Sequence, residues 1–163
     1  MAIIGDRNII SVTHITASSY ASRGSTSSWT EFNTNYRITV TPKRSDSLLL
    51  FDFNFIVQSS VEHILQSYRI YNVTDSVYLD NNGNLSNRNW VHGQSRGQYN
   101  GDNANTMHVM ARYSPNSTSA KTYGLHHINA GGTTYIGYSN ADGTSAVQWR
   151  HSPIITCYEI EDI

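Results

Sequence analysis

The 163-residue sequence has little cysteine, proline or charge. Its single cysteine, Cys157, cannot form an intrachain disulfide, and its apolar surroundings predict a small buried side chain rather than a nucleophile. Charged residues make up 14% of the chain, against about 25% in an average soluble domain. A domain of this size can bury roughly two thirds of its unfolded surface, so we expect one domain whose core needs neither metal nor disulfide.

Features of two classes of partner are also missing. The net charge is −1 and the basic residues are scattered, so the sequence lacks the basic patch of a nucleic-acid-binding protein. The N-terminal residues contain no basic region followed by a long apolar stretch, which predicts neither a secretory signal nor a membrane span. We therefore expect that the chain binds no nucleic acid and no membrane.

Catalytic and metal-binding patterns are absent as well. Nucleophile-elbow, phosphate-loop and zinc-protease motifs do not occur, and no acidic pair is placed for glycoside hydrolysis. The best histidine cluster is His126 and His127 with His108 and His151. Adjacent residues on a strand point to opposite faces, so His126 and His127 cannot chelate one ion, and we interpret the histidines as surface residues. We expect no enzyme activity, no metal and no cofactor.

The sequence does contain repeated period-two alternation. Ser, Thr and Asn supply 52 positions and Tyr another 11, and no stretch keeps a helical period over three turns. The most regular apolar face lies within residues 49–57, and about eight strands are predicted in all. The predicted core includes nine residues: Ile38, Val40, Leu49, Phe51, Phe53, Phe55, Val109, Tyr123 and Leu125.

Eight short strands with uneven loops predict an all-β, single-domain, jelly-roll-like antiparallel β-sandwich. A lipocalin-like barrel would join its strands by short hairpins throughout, and the long connections here favour the sandwich. Within it, Gly131-Gly132 is predicted to turn between two strands, and residues 18–28 to form a serine-rich loop leading to Trp29.

The longest polar segment runs from Asn84 to Asn105 and is rich in Gly and Asn. We interpret it as an exposed excursion with one short strand around Trp90 to His92. Sugars stack on aromatic rings and hydrogen-bond to amides, so Trp90 and Tyr99 are the candidate contacts for a glycan or another partner, and Trp29 and Trp149 are further platforms.

Five segments follow one another in a characteristic order. They are Ile38-Thr-Val-Thr-Pro42, Ser45-Asp-Ser-Leu48, Pro115-Asn-Ser-Thr-Ser-Ala-Lys-Thr-Tyr123, Gly131-Gly-Thr-Thr-Tyr135 and Ile155-Thr-Cys-Tyr-Glu-Ile160. This order resembles a module common in marine and cyanobacterial phage genomes, a small jelly-roll sandwich that assembles as a tumour-necrosis-factor-like trimer on virion surfaces. The resemblance runs from about Ser11 to Ile160.

The closing segment carries apolar residues on both faces of the predicted strand. Ile155, Cys157 and Glu159 can face the core, while the alternate set leaves Tyr158 and two isoleucines facing outward. A stripe of this kind is normally covered by a partner, and closed cyclic symmetry covers it without exposing a new edge. Because the resemblance implies three subunits, we predict a homotrimer. Its predicted interface consists of Ile154, Thr156, Tyr158 and Ile160.

The resemblance also implies a function. It indicates a non-enzymatic bacteriophage structural protein on the virion surface, made in the host cytoplasm, that decorates the capsid as a knob or cement protein. Its expected partners are the major capsid protein or a tail component. The alternative is a tail-fibre tip that recognises host surface polysaccharide. Residues 1–12 are expected to be a docking arm, held at Ile3 and Ile4 by a neighbouring subunit, and residues 13–163 the sandwich domain.

Overall fold

The computed structural model describes residues 8–61, 63–79, 91–96, 105–137 and 151–161. The regular elements in these ranges are one 3-10 turn, Thr34–Tyr36, and twelve β-strands. The strands are β1 (Ile9–Thr16), β2 (Ala21–Arg23), β3 (Thr26–Glu31), β4 (Ile38–Val40), β5 (Ser47–Ser59), β6 (Leu65–Asn72), β7 (Val77–Tyr78), β8 (Gly93–Arg96), β9 (Asn105–Tyr113), β10 (Lys121–Asn129), β11 (Thr134–Ile136) and β12 (Ile154–Glu161).

Six strands form the first sheet around β5, and all their pairings are antiparallel. On one side β5 pairs with β9, and on the other it pairs first with β12 and then with β11. Beyond these, β1 pairs with β12 and β2 with β11. The sheet is therefore four strands wide. The strands β12 and β11 follow one another along the same side of β5, and β1 and β2 follow one another along the outer side of β12 and β11.

The second sheet has the same plan around β10 and β6, which pair with each other. The outer side of β10 carries β3 and β4, and the outer side of β6 carries β7 and β8. Across the molecule the pairing is nested: β1 with β12, β3 and β4 with β10, β5 with β9, and β6 with β8. Nested antiparallel pairing in two sheets is the jelly-roll arrangement, which confirms the predicted fold class.

The core lies between the sheets and follows the period-two pattern of β5. All nine predicted core residues are buried, each with at most 2% of its surface exposed. Aromatic rings join the two layers: the centroids of Phe51 and Tyr123 lie 4.5 Å apart, and those of Phe55 and Tyr68 lie 5.3 Å apart. Cys157 is also buried, and burial raises the pKa of its thiol to about 12. The predicted role of Cys157 as a small core residue is confirmed.

Three local predictions need correction. Gly131-Gly132 does not join two paired strands, because β10 lies in the second sheet and β11 in the first. Gly132 has a φ of +69°, and a Cβ there would stand 2.6 Å from Val61 Cγ2, so the glycine allows the chain to cross between sheets close to residue 61. The serine-rich segment 18–28 contains β2 and the start of β3. The strand expected around Trp90 to His92 is instead β8, Gly93–Arg96.

The last residues of the proposed docking arm lie in a strand. Residues 9–12 belong to β1, where Val12 lies opposite Tyr158 of β12. They are part of the sandwich because Ile9, Ser11 and Val12 pair with β12, although the register shifts between Ile9 and Ser11. Ile3 and Ile4 lie outside the described residues.

A buried carboxylate holds one end of the sandwich together. Glu159 of β12 is 1% exposed and accepts hydrogen bonds from Lys43 N–H at 2.7 Å, Arg44 N–H at 3.0 Å, Ser47 Oγ at 2.8 Å and Ser11 Oγ at 2.8 Å. Burial alone would raise its pKa, but these hydrogen bonds to the charged form outweigh burial and hold the pKa of Glu159 below its usual value.

Replacing Phe53 by alanine tests the core. Phe53 is 1% exposed on β5, and its removal leaves a cavity that should lower the free energy of unfolding by about 3–5 kcal/mol. Urea denaturation followed by circular dichroism measures this loss. Leu65→Ala is the matched control, because Leu65 is 52% exposed and should change stability by less than about 0.5 kcal/mol. Equal effects from both variants would contradict the assigned core.

Glu159→Gln tests the buried carboxylate. A carboxyl group whose pKa is lowered by folding stabilises the protein above its unfolded pKa, and this stabilisation is lost as pH falls through the lowered value. The variant should lose about 2–4 kcal/mol at pH 7, since it gives up hydrogen bonds to a charged acceptor. Urea titrations at pH 7 and pH 3 should show a weaker acid response than in the wild type. Glu161→Gln on the same strand should retain the wild-type response.

Candidate functional site

The outward face of the first sheet carries a band of apolar side chains. Val12 of β1 lies opposite Tyr158 of β12, which lies opposite Leu50 of β5. Val12 is 53% exposed and Tyr158 38% exposed, and Ile154 and Met110 add further exposed apolar area. We call these five residues the apolar band. An exposed apolar patch on a sheet face typically marks an interaction surface.

Polar side chains lie beside the paired residues Val12, Tyr158 and Leu50. The neighbouring row runs from His14 through Thr156 and Asp52 to Met110. The Asp52 carboxylate lies 3.1 Å from His108 Nδ1. The face thus combines apolar contact area with hydrogen-bonding groups. Stable interfaces have this mixed character, with apolar residues at the centre and polar groups between and around them.

The four residues predicted for the trimer interface do not share one environment. Ile154, Thr156 and Tyr158 lie on the outward face, with Ile154 37% exposed. Ile160 was expected to face outward but is only 2% exposed, because it lies at the end of the sheet between the apolar residues Leu48 and Ile9. Its alternate neighbours Ile155 and Cys157 are buried in the core, as expected.

The band is wider than the closing strand that the sequence indicated. Val12, Leu50 and Met110 come from β1, β5 and β9, and only the sheet register brings them beside β12. Each stands alone between polar or inward-facing residues in the sequence. Strand pairing was therefore the information needed to find them.

The outward face of the second sheet carries a different group, which we call the aromatic cluster: Trp29, Arg69, Tyr71, Tyr78 and His126. The rings of Tyr71 and His126 are stacked with centroids 4.2 Å apart, and Tyr78 Oη lies 3.2 Å from His126 Nδ1. The Arg69 guanidinium lies 4.4 Å from the ring centroid of Trp29 and 5.0 Å from that of Tyr78. These are cation–π contacts, and they hold the cluster together.

Strand register explains how the cluster forms. Arg69 of β6 lies opposite His126 of β10, which lies opposite Glu31 of β3. Gly124 lies two residues before His126 on β10, on the same face of the sheet. A Cβ at Gly124 would approach Glu31 Oε1 to 2.9 Å. The missing side chain leaves room for Glu31, which forms an ion pair with Arg37 at 2.6 Å.

The two adjacent histidines of β10 face opposite sides of the sheet, as predicted. His126 belongs to the aromatic cluster, and burial lowers its pKa to about 4, with Glu31 opposing the shift and Arg23 and Arg37 adding to it. His127 points into the core and packs edge-on against Phe32 at 4.9 Å. The surface position expected for His127 is wrong, since it is 0% exposed, and burial lowers its pKa to about 4.

The described part of the chain shows neither a metal cluster nor a membrane-spanning helix. No three His, Cys, Asp or Glu side chains there are grouped to hold a metal ion. No helix in that part is long and apolar enough to span a membrane. Trp90, Tyr99 and Trp149 lie outside the described residues, whereas Trp29 is placed in the aromatic cluster.

An open groove of about 360 Å³ lies on the same outward face as the aromatic cluster. Ser67 and Ile128 in its wall lie opposite each other, two positions along their strands from Arg69 and His126. Thr26 and Ser27 add hydroxyl groups, and Leu65 adds apolar surface. The groove therefore extends the face on which the cluster stands.

Comparison with known proteins gives similarity in shape only. No family model matches the chain, and no curated protein matches it. Among solved structures, the infectious bursal disease virus Gt strain matches at 15% identity and a TM-score of 0.47, covering 93% of this chain and 38% of that chain. The Gx strain matches at 13% and 0.44, covering 94% and 38%.

A VP2 subviral particle of infectious bursal disease virus also matches, at 12% identity and a TM-score of 0.44, covering 97% of this chain and 42% of that chain. The chain thus spans about two fifths of the viral chains that it matches. Similarity at this level identifies neither a family nor a function. The fold and its two outward faces define a jelly-roll sandwich with one apolar and one aromatic surface.

His127→Phe tests the buried histidine. A histidine whose pKa falls to about 4 on folding stabilises the protein above its unfolded pKa near 6.5, and this stabilisation is lost as pH falls towards 4. Between pH 6.5 and pH 4, the free energy of unfolding of the wild type should fall by on the order of 3 kcal/mol through His127. The variant should not show this loss. Urea midpoints from pH 7 to pH 4 measure the difference. The control His14→Gln, at an exposed histidine, should keep the wild-type acid response.

Proposed function

We propose that this chain is a non-enzymatic structural protein of a bacteriophage particle, which decorates the capsid surface as a homotrimeric knob or cement protein. Two observations support the proposal. The nested jelly-roll pairing agrees with the fold implied by the sequence resemblance to phage surface modules. The apolar band supplies a face on which subunits can associate.

The apolar band is the observation that carries the proposal. Val12, Met110, Ile154 and Tyr158 are each between 37% and 58% exposed on one sheet face. A second copy of the same chain covers this surface without needing another protein, and a closed three-fold ring leaves no copy of the band open. Burial of three such side chains per subunit would contribute on the order of 5 kcal/mol per chain before the entropy of association is subtracted.

The oligomeric state tests this arrangement. We expect light scattering of the purified protein to give about three times the chain mass of 18.3 kDa. The double variant Met110→Asp, Tyr158→Arg should be monomeric at micromolar concentration with an unchanged circular dichroism spectrum, because it places charges in the band. Leu65→Asp is the matched control, since Leu65 is 52% exposed, between Tyr158 at 38% and Met110 at 58%, but lies on the second sheet.

Two results would overturn the trimer: a wild-type protein that stays monomeric at micromolar concentration, or a double variant that still trimerises. Ile160 is unsuitable for this test. It is 2% exposed, and an aspartate there would unfold the sheet end whether or not subunits associate.

The position on the particle needs a separate experiment. Antibody labelling of intact virions, viewed by electron microscopy, should find hundreds of copies over the capsid if the chain is a decoration protein in contact with the major capsid protein. A few copies at the tail would instead support the second candidate, a tail-fibre tip that recognises host surface polysaccharide. The aromatic cluster favours this second candidate, because it lies on the opposite sheet from the apolar band and stays exposed in the proposed trimer.

A further inference from the structure

Strand β3 is held in its sheet along one side only. It lies at the end of the second sheet and, among the described strands, pairs only with β10. The pairing is irregular, because β3 advances from Thr26 to Thr30 while β10 covers only the distance between Asn129 and His127. The two residues after Thr26 are exposed. A strand with few paired and buried residues opens at a lower free energy than the centre of the sheet.

The two adjacent histidines of β10 both lie directly opposite β3. His126 is paired with Glu31, and His127 is paired with Thr30. Successive residues of a strand point to opposite faces, so one imidazole lies on the outward side of this junction and the other on the core side. Any separation of β3 from β10 therefore changes the surroundings of both rings together.

His127 is enclosed on the core side of the junction. It is 0% exposed and packs edge-on against Phe32. In the described part of the chain, neither its ring nitrogens nor Thr30 Oγ1 makes a hydrogen bond. The residue opposite it on β6 is Tyr68, whose hydroxyl donates to Gln66. A protonated imidazole donates at both nitrogens, so the closed junction favours the neutral ring.

His126 is enclosed by other rings on the outward side. Its ring is stacked on that of Tyr71 with centroids 4.2 Å apart, and Tyr78 Oη lies 3.2 Å from its Nδ1. Trp29 of β3 packs against Tyr78 with ring centroids 6.2 Å apart. Strand β3 therefore forms one side of this enclosure, and moving it away would admit water to His126.

The charges on the outward side disfavour protonation of His126. Burial is the main cause that lowers its pKa to about 4, and Arg23 and Arg37 add to this shift. Arg69, opposite His126 on β6, is a further cation on this face. Glu31 opposes the shift, but its carboxylate is already paired with Arg37 at 2.6 and 2.7 Å. The neighbouring phenols of the aromatic cluster carry no charge in acid.

The core side lacks a compensating negative charge as well. Burial again is the main cause that lowers the pKa of His127 to about 4, and Arg23 and His126 add to the shift. The Thr30 backbone opposes it only in part. Burial raises the pKa of Tyr68, so this neighbour on β6 stays neutral. Both histidines can therefore accept a proton much more easily once β3 has moved away and water reaches them.

We propose that β3 is an acid-released flap: protonation of His126 and His127 detaches residues 26–31 from β10 while the rest of the sandwich stays folded. In the open state both rings titrate near the ordinary histidine pKa of about 6.5. Because closure lowers both pKa values, the closed state is most favoured above pH 6.5, and this preference is lost as pH falls towards 4. The flap lies on the second sheet, so it does not depend on subunit association through the apolar band.

Hydrogen exchange of single amides, followed by NMR on the full-length protein, measures the opening. Phe32 N–H donates to the Leu125 carbonyl at 2.7 Å, so Thr30 and His127 form the next hydrogen-bonded pair of the ladder. After correction for the intrinsic exchange rate, the opening constant at Thr30 should rise about 50-fold from pH 6 to pH 5, because two protons are taken up. Carboxyl groups titrate mainly below this window. Amides of β5 report global unfolding and should exchange more slowly throughout.

Single variants separate the two protons. His126→Gln and His127→Phe should each reduce the rise to about sevenfold, the value for one proton, and the double variant should show none. The matched control His14→Gln, at an exposed histidine of the first sheet, should keep the full rise. Circular dichroism confirms that each variant is folded, and His126→Gln with the wild type still tests the proposal if His127→Phe does not fold.

Three results would overturn the flap. The first is a wild-type rise of about sevenfold or less, which would mean that the two histidines do not open β3 together. The second is equal exchange at the amides of β3 and β5, which would mean that β3 opens only when the whole sandwich unfolds. The third is a rise that survives in His126→Gln at the wild-type size, or in the double variant.

Discussion

The pairing of β5 is the constraint on which the rest of the molecule depends. This strand of 13 residues hydrogen-bonds to β9 along one side and to β12 and β11 along the other. Its inward residues, among them Phe51, Phe53 and Phe55, form much of the core. Its outward residues include Leu50 of the apolar band and Asp52 of the polar row beside it. Because side chains on a strand alternate strictly, one pairing register sets the composition of both surfaces.

Elements with strong period-two alternation could be predicted from the sequence. The residues of β5, β9 and β10 alternate clearly, and the core positions drawn from them are all buried. Short edge strands such as β2 and β8 could not be found in this way, because their residues are mostly polar and exposed. Local turn chemistry was misleading at Gly131-Gly132. A glycine pair indicates that the chain turns, but not whether the next strand joins the same sheet.

The two candidate surfaces differ in how much of each was visible in the sequence. The closing strand pointed to the apolar band because its apolar residues occur at consecutive positions. The aromatic cluster joins Trp29 to Arg69 and His126, which are far apart in the chain and meet only through the register of β3, β10 and β6. Trp29 alone could be named as a platform. Its partners required the paired sheet, as did the neighbours Val12 and Met110 of the band.

The pairing of β1 with β12 has a mechanical consequence. Ile9 lies opposite Ile160, so the two strands leave this ladder side by side at the same end of the sandwich. A force that pulls residues 8 and 161 apart would break the hydrogen bonds of the antiparallel ladder one pair at a time. Rupture would begin at the end of the ladder where Glu161 N–H donates to the Asn8 carbonyl. A load applied to both ends together would place no tension across that ladder. Resistance to force therefore depends on whether the two ends are held on the same side or pulled in opposite directions.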